Sequence, residues 1–372
     1  MNRLFVLLLS LGTVCVSCAE KQPVLKMVDE NATAETKALY RNLGLMQEKG
    51  IMFGHQDDLA YGIGWKYEQG ASDVKKVTGD YPAVYGWEIG HVELGDSLSL
   101  DSIHFSKITQ FIKEGYERGG VNTVSWHLSN PLTGGSAWDV SSKEVVGQIL
   151  AGGEVTALYK NWLNRLAAFF LSQKDAQGRL IPILFRPFHE HSGSWFWWGK
   201  ALCSTDEYKG LWKMTADYLR DTCGVHNLIY IYSPDRVASV EEYVERYPGD
   251  EYVDVLGMDL YHRNGAEKAE DYMQAVKNTM EFLSVASVQK NKPFVFSETG
   301  SEQIPMEKWF TEVLYKAIVP SKPAYVLLWR NAYERPVHYF APYPGHPACE
   351  DFIAFKNLPD VFFEGELPAM YK

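Results

Sequence analysis

Disulfide frameworks, phosphate loops and zinc motifs are all missing from this 372-residue chain. It has five cysteines, two of which, Cys15 and Cys18, fall in the N-terminal apolar segment. The odd number left over, Cys203, Cys223 and Cys349, makes no disulfide framework. Cys203 and Cys223 bracket a stretch with helical spacing, about 30 Å long at helical rise, which no disulfide spans. The three are expected as free, mostly buried thiols. No G-x-G-x-x-G or G-x-x-x-x-G-K-[S/T] is present, which counts against an open, nucleotide-binding sheet. H-E-x-x-H is absent too. Positive charge is in short supply: 36 Lys and Arg stand against 47 Asp and Glu, a net charge of −11. Such a chain repels a phosphate backbone, so no nucleic-acid partner is expected.

No apolar run is long enough for a permanent membrane span. The nearest is the N-terminus, MNRLFVLLLSLGTVCVSC, with Arg3 ahead of a short apolar core. That is the pattern of a secretory signal. Ser17-Cys18 closes it like a bacterial lipoprotein cleavage site, with Cys15 as an imperfection in the box. Residues 1–18 are therefore read as a leader with Cys18 as the lipid attachment point, and 19–36 as a polar linker. The expected location is the periplasm or cell surface of a Gram-negative bacterium, with a membrane link only through that lipid. No partner helix stands out, and a monomer is expected.

Aromatic residues are what the chain has in excess. They make up 14%, with 11 Trp and 22 Tyr. Flat apolar sugar faces stack on such rings, although a large aromatic core also uses them. Eight short β-rich runs recur: 51–56, 81–88, 121–127, 180–190, 228–234, 253–261, 293–300 and 324–331. Most are continuously apolar, as in strands covered on both faces. Stretches with helical spacing lie between them, at 161–173, 205–224 (Thr205 as N-cap, Gly224 at the end), 269–286 and 306–318. Eight strands alternating with helices predict the α/β class, a single (β/α)8 barrel of the TIM type over 37–372.

In such a barrel the C-terminal strand ends carry the site. Those ends read His55-Gln56-Asp57, Trp87-Glu88, Trp126-His127, Arg186 through Glu190, Ser233-Pro234-Asp235, Asp259 through His262, Glu298, and Trp329-Arg330. His189 and His191 sit at i and i+2, which on an extended strand face the same way and could ligate a metal with His55, His127 or His262 as a third ligand. Against that stand Glu190 and Glu298 at the ends of strands four and seven. Glycoside hydrolysis needs two carboxyl groups on opposite sides of the scissile bond. The paired glutamates, in so aromatic a rim, favour the hydrolase, with no metal and no cofactor. A non-catalytic carbohydrate-binding lipoprotein would keep the tryptophans but need neither glutamate.

RPFHEHSGSWFWWG, followed in order by GMDLYH, FVFSETG and LLWRN and preceded by SWHLSNPLTGG, resembles glycoside hydrolase family 26, whose best-known members are β-mannanases. The resemblance runs over roughly residues 36–365. It implies Glu190 as general acid/base and Glu298 as nucleophile of a retaining mechanism. It further implies His127 as a contact in the −1 sugar site, His189 as a contact to sugar hydroxyls, and Trp195 as a stacking platform. Arg186 and Tyr261 would hold the nucleophile and favour its ionised form. Trp329 and Arg330 would form a platform and polar clamp, and Trp138 would line a more distant site. Phe196, Trp197 and Trp198 are expected as a wall that holds their loop still. Glu190, crowded by Phe188 and Trp195 and near a second carboxylate, should have a raised pKa. The implied substrate is mannan or a manno-oligosaccharide, with β-1,3-xylan or mixed-linkage glucan as alternatives. Internal cutting and release of mannobiose from an end both stay open.

Overall fold

The computed structural model describes residues 26–372. The leader, Cys18 and the first part of the expected linker lie outside the described residues. Each of the eight runs forms a strand: β1 (Ile51–Gln56), β2 (Val84–Glu88), β3 (Val121–Trp126), β4 (Ile183–Pro187), β5 (Leu228–Tyr232), β6 (Val255–His262), β7 (Phe294–Ser301) and β8 (Tyr325–Leu328). They pair in parallel in chain order, and β8 pairs back onto β1, Met52 opposite Tyr325 and His55 opposite Leu328. The ring is closed, with helices between successive strands, which is a (β/α)8 barrel.

Alternation along the strands explains the doubly apolar runs. One set of side chains, including Met52, Val84, Val121, Leu184, Val255 and Val295, fills the barrel. The other, including Phe53, Val124, Phe185, Leu256, Phe296 and Val326, packs outward into the helix layer. The helix Ala34–Lys49, capped by Thr33, adds Leu39, Tyr40, Leu43 and Met46 to the inner set and closes the N-terminal end. The polar stretch ahead of it is docked from its first described residues rather than acting as a linker. The Val28 amide donates to Asp254 (2.7 Å), and His226 bonds Asp29 (2.8 Å).

The helices differ from expectation in detail. The one after β4 spans Thr205–Asp217 and is capped by Ser204, not Thr205, because Glu207 reaches back to close a capping box. It then widens into a π turn, Tyr218–Thr222. Of the expected 306–318 helix, Phe310–Tyr315 is likewise a π turn, followed by a helical turn at Lys316–Ile318. The helix before β4 starts earlier than its apolar pattern, at Glu154, and ends at Ser172. Of the three free thiols only Cys203 is buried; Cys223 and Cys349 are half-buried. Among the described residues no helix is long and apolar enough to cross a membrane.

Two irregularities at the C-terminal rim aim side chains. On β7 the register against β6 shifts: Met258 faces Phe296, but Asp259 faces Glu298, leaving Ser297 as an extra residue. The bulge lets Ser297 and Glu298 both reach inward where alternation would send one of them out. Past the end of β4, Phe188 and Glu190 adopt φ of 48° and 53°. Backbone of this kind costs about 1–3 kcal/mol per residue and persists only where the surroundings impose it.

Candidate active site

A cleft of about 820 Å³ opens at the C-terminal ends of the strands. His127, Trp138, Glu190, Trp195, Tyr261, Glu298 and Trp329 line it, together with Phe196, Asp235 and Phe340. A groove of about 870 Å³ at the opposite end, between the Ala34–Lys49 helix and residues 287–293, has none of these strand-end groups.

Glu298 is held at both oxygens. The Tyr261 hydroxyl donates to Oε1 (2.5 Å), and Arg186 Nη2 donates to Oε2. Arg186 is itself fixed from the other side, where Nη1 donates to Asp259 Oδ2 (2.6 Å). Asp259 also accepts from the Ser233 and Ser297 hydroxyls. One buried guanidinium therefore spans two carboxylates, and the geometry of Glu298 is set by the barrel interior rather than by a loop. Burial and the charge of Glu298 push the Tyr261 hydroxyl well above its ordinary range, so it stays a proton donor.

Glu190 is treated differently. Among the described residues its one side-chain donor is the Trp195 indole, Nε1 to Oε2 at 2.7 Å. Burial, then the negative charges of Glu298, Asp259 and Asp235, push its carboxyl well above the usual carboxylate range, and the indole bond only partly opposes them. The direction matches expectation, and so does the part played by the second carboxylate, Glu298, but the apolar neighbours act otherwise. Phe188 does not crowd Glu190; the turn directs its ring toward Trp126, Trp198, Tyr208 and Trp212. Trp195 acts on the carboxyl through a hydrogen bond.

The two histidines of HEH part company, because the strand stops at Pro187 and the positive φ residues destroy the i, i+2 alternation. His189 faces His127, Nε2 to Nε2 at 3.0 Å. His127 bonds Glu88 through Nδ1 (2.7 Å), and Glu88 also accepts from the amides of His127 and Gly90 and from the Ser125 hydroxyl. Burial disfavours charge on His127, but Glu88 prevails and raises its pKa. Burial, Arg186 and His127 hold His189 well below the ordinary histidine value, so it stays neutral. His189, expected to touch sugar hydroxyls, is 1% exposed and off the cleft wall. His127 is the ring that reaches the cleft, stacked on Trp138 with centroids 5.2 Å apart.

His191 lies between Tyr208 and Tyr232, and among the described residues neither of its ring nitrogens has a partner. Burial, then Arg246 and Lys200, hold its pKa far below the ordinary value. The folded state thus binds fewer protons here than the unfolded one. The contribution is complete above the unfolded pKa of about 6.5 and is lost as pH falls below it. His191→Phe is expected to remove this term. The stability difference, wild type minus variant, should be constant at pH 7–8 and fall by at most about 1.4 kcal/mol per pH unit below 6. Urea unfolding at pH 5 and pH 8 checks it, and an unchanged difference contradicts the buried neutral ring.

Arg330 departs from its expected place. It is buried, and its guanidinium is taken up by Asp101 (3.1 Å), Glu334 (2.8 Å) and the Tyr61 hydroxyl (3.0 Å). Arg186 is likewise off the cleft wall, whereas Trp329 remains on it. Phe196, Trp197 and Trp198 are buried, their indoles tied to the Leu128 and His189 carbonyls, although Phe196 also faces the cleft. Three acids that the sequence reading did not single out matter to this geometry: Glu88 behind His127, Asp259 behind Arg186, and Asp235 on the cleft wall. Each stood in the inventory of strand ends. Counting inward positions on β6 from Val255 through Gly257 would have put Asp259 inside the barrel.

The family model for glycosyl hydrolase family 26 matches residues 28–315. The chain belongs to this family. It is 46% identical to a Bacteroides ovatus family 26 β-mannanase of known structure, with a TM-score of 0.89 over 91% of this chain and 98% of that one. A mannan endo-1,4-β-mannosidase of Bifidobacterium adolescentis is 35% identical over 82% of this chain, which spans only 32% of that longer protein. A Bacillus subtilis protein of the same name is 31% identical, with 73% of each chain covered.

Proposed function

We propose that this chain is a retaining β-mannanase that hydrolyses β-1,4-mannosidic linkages in mannan, galactomannan or glucomannan. One observation carries the reading: two carboxyl groups from β4 and β7 share one aromatic cleft in opposite surroundings. Glu298 has a guanidinium and a phenol holding both oxygens, as a nucleophile needs. Glu190 is buried with a raised pKa, as an acid needs near neutral pH. Glu190 protonates the glycosidic oxygen while Glu298 attacks the anomeric carbon and forms a glycosyl ester. Glu190 then takes a proton from the water that hydrolyses it. Two inversions give retention, and the mechanism calls for carboxyl groups about 5–5.5 Å apart. His127 contacts the −1 sugar, while Trp195, Trp329 and Trp138 offer stacking faces. Arg330 acts from behind, bracing the end of β8 through Asp101 and Tyr61. The names of the three relatives support mannan as the substrate.

Reducing-sugar release from galactomannan, glucomannan, β-1,3-xylan and lichenan tests the substrate. Release from the two mannans is expected to exceed that from the others by at least about 100-fold, equivalent to roughly 3 kcal/mol of transition-state discrimination. Dominant release from xylan or lichenan sinks the assignment. The anomer first formed, read by NMR, tests retention. From the apolar leader and Ser17-Cys18, the proposal extends to a monomer exported on a lipid at Cys18. Palmitate labelling that persists in Cys18→Ser contradicts the anchor.

A further inference from the structure

Arg246 is 2% exposed, yet none of the steps above uses it. It sits at the C-cap of the short helix Val240–Glu245 and reaches under the loop that follows Glu190. Nη1 donates to the His191 carbonyl (2.8 Å). Nη2 donates to the Cys203 and Ser204 carbonyls (3.2 and 3.4 Å) and to Cys203 Sγ (2.9 Å). One guanidinium thus fastens both ends of the segment that carries Trp195. The same group stacks on Tyr208, 4.4 Å from the ring centroid. Tyr208 packs on His191 with centroids 4.4 Å apart, and its hydroxyl donates to the Phe188 carbonyl (3.0 Å).

Glu190 therefore sits between two fastened neighbours, Phe188 and His191, in a stretch whose positive φ values need an outside hold. The partners of Arg246 are carbonyls, a thiol and a ring. A buried cation held this way is costly to keep, and replacing it with an apolar side chain would spare that cost. What an apolar side chain could not do is grip several carbonyls at once from one rigid fork.

We propose that Arg246, with Tyr208, is a positioning residue for the acid/base. It fixes the loop so that Glu190, bonded to Trp195, meets the scissile oxygen, and it acts on protonation of the leaving group. The proposal rests on the mannanase reading, and two measurements keep the two apart. Arg246→Lys keeps the charge without the fork, and Tyr208→Phe keeps the ring without the hydroxyl. On mannan, kcat/KM should fall at least about tenfold in each variant. On 2,4-dinitrophenyl β-mannobioside, whose leaving group needs no acid, it should stay within about twofold. Amides in 188–204 should exchange with deuterium at least about tenfold faster, with other segments unchanged.

Equal losses on both substrates, or faster exchange throughout the chain, overturn the proposal. A wild type inactive on both substrates overturns the mannanase reading instead, and the exchange pattern alone then decides the role of Arg246.

Discussion

Glu298→Ala is expected to lose about 10⁴–10⁶-fold in mannan hydrolysis while staying folded, in line with loss of the nucleophile in other covalent mechanisms. The fold should survive because Arg186 keeps Asp259, with its 2.6 Å bond, so no buried cation is left unpaired. Bound sugar should be retained, since the aromatic faces of the cleft are untouched. The loss therefore belongs in kcat, with KM little altered. Azide gives a sharper reading than rate alone. In the space of the missing carboxyl it attacks the anomeric carbon once, so the expected product is the α-mannosyl azide. Hydrolysis at the wild-type rate, or a β-azide, sinks the assignment of Glu298.

Glu190→Ala should show the complementary signature. Hydrolysis of the polysaccharide is expected to fall about 10²–10⁴-fold, the usual contribution of a general acid. With 2,4-dinitrophenyl β-mannobioside the first step should survive and the ester should accumulate, giving a burst followed by slow turnover. Azide now intercepts an existing ester and yields the β-mannosyl azide. The pH profile supplies a further check. Wild-type kcat/KM should decline on the alkaline side at the raised pKa of Glu190, because the acid must carry its proton when substrate binds. In the variant that limb should disappear. An alkaline limb that persists unchanged in Glu190→Ala assigns the acid to another group.

The barrel could be read from the chain because its evidence is redundant: eight apolar runs, each too short for a helix, separated by stretches of helical period. The two glutamates were legible for a related reason, since a strand end in a barrel has only one face on which to place a carboxyl. What escaped was set by irregular backbone. Alternation assigns His189 and His191 to one face, but two residues with positive φ after Pro187 send them to different partners. Alternation also cannot foresee that an extra residue at Ser297 lets Glu298 point inward. The partners of charged side chains were the other gap. Arg330 and Asp101 lie more than two hundred residues apart, as do Tyr85 and Glu364, and no local pattern links them. Asp259 stood among the strand-end residues, but its hold on Arg186 follows only once β4 and β6 are brought together around Glu298.

The charge that Glu298 places on Glu190 acts as a clock. While Glu298 is an anion, it helps keep the proton on Glu190, which is what departure of the leaving sugar requires. Once Glu298 is esterified, that negative charge is gone and Arg186 faces Asp259 alone. Glu190 then loses one of the charges that raise its pKa just when it has given its proton away, which favours the ionised form that accepts one from water. Progress of the reaction thus shifts the balance from acid toward base through a change of charge.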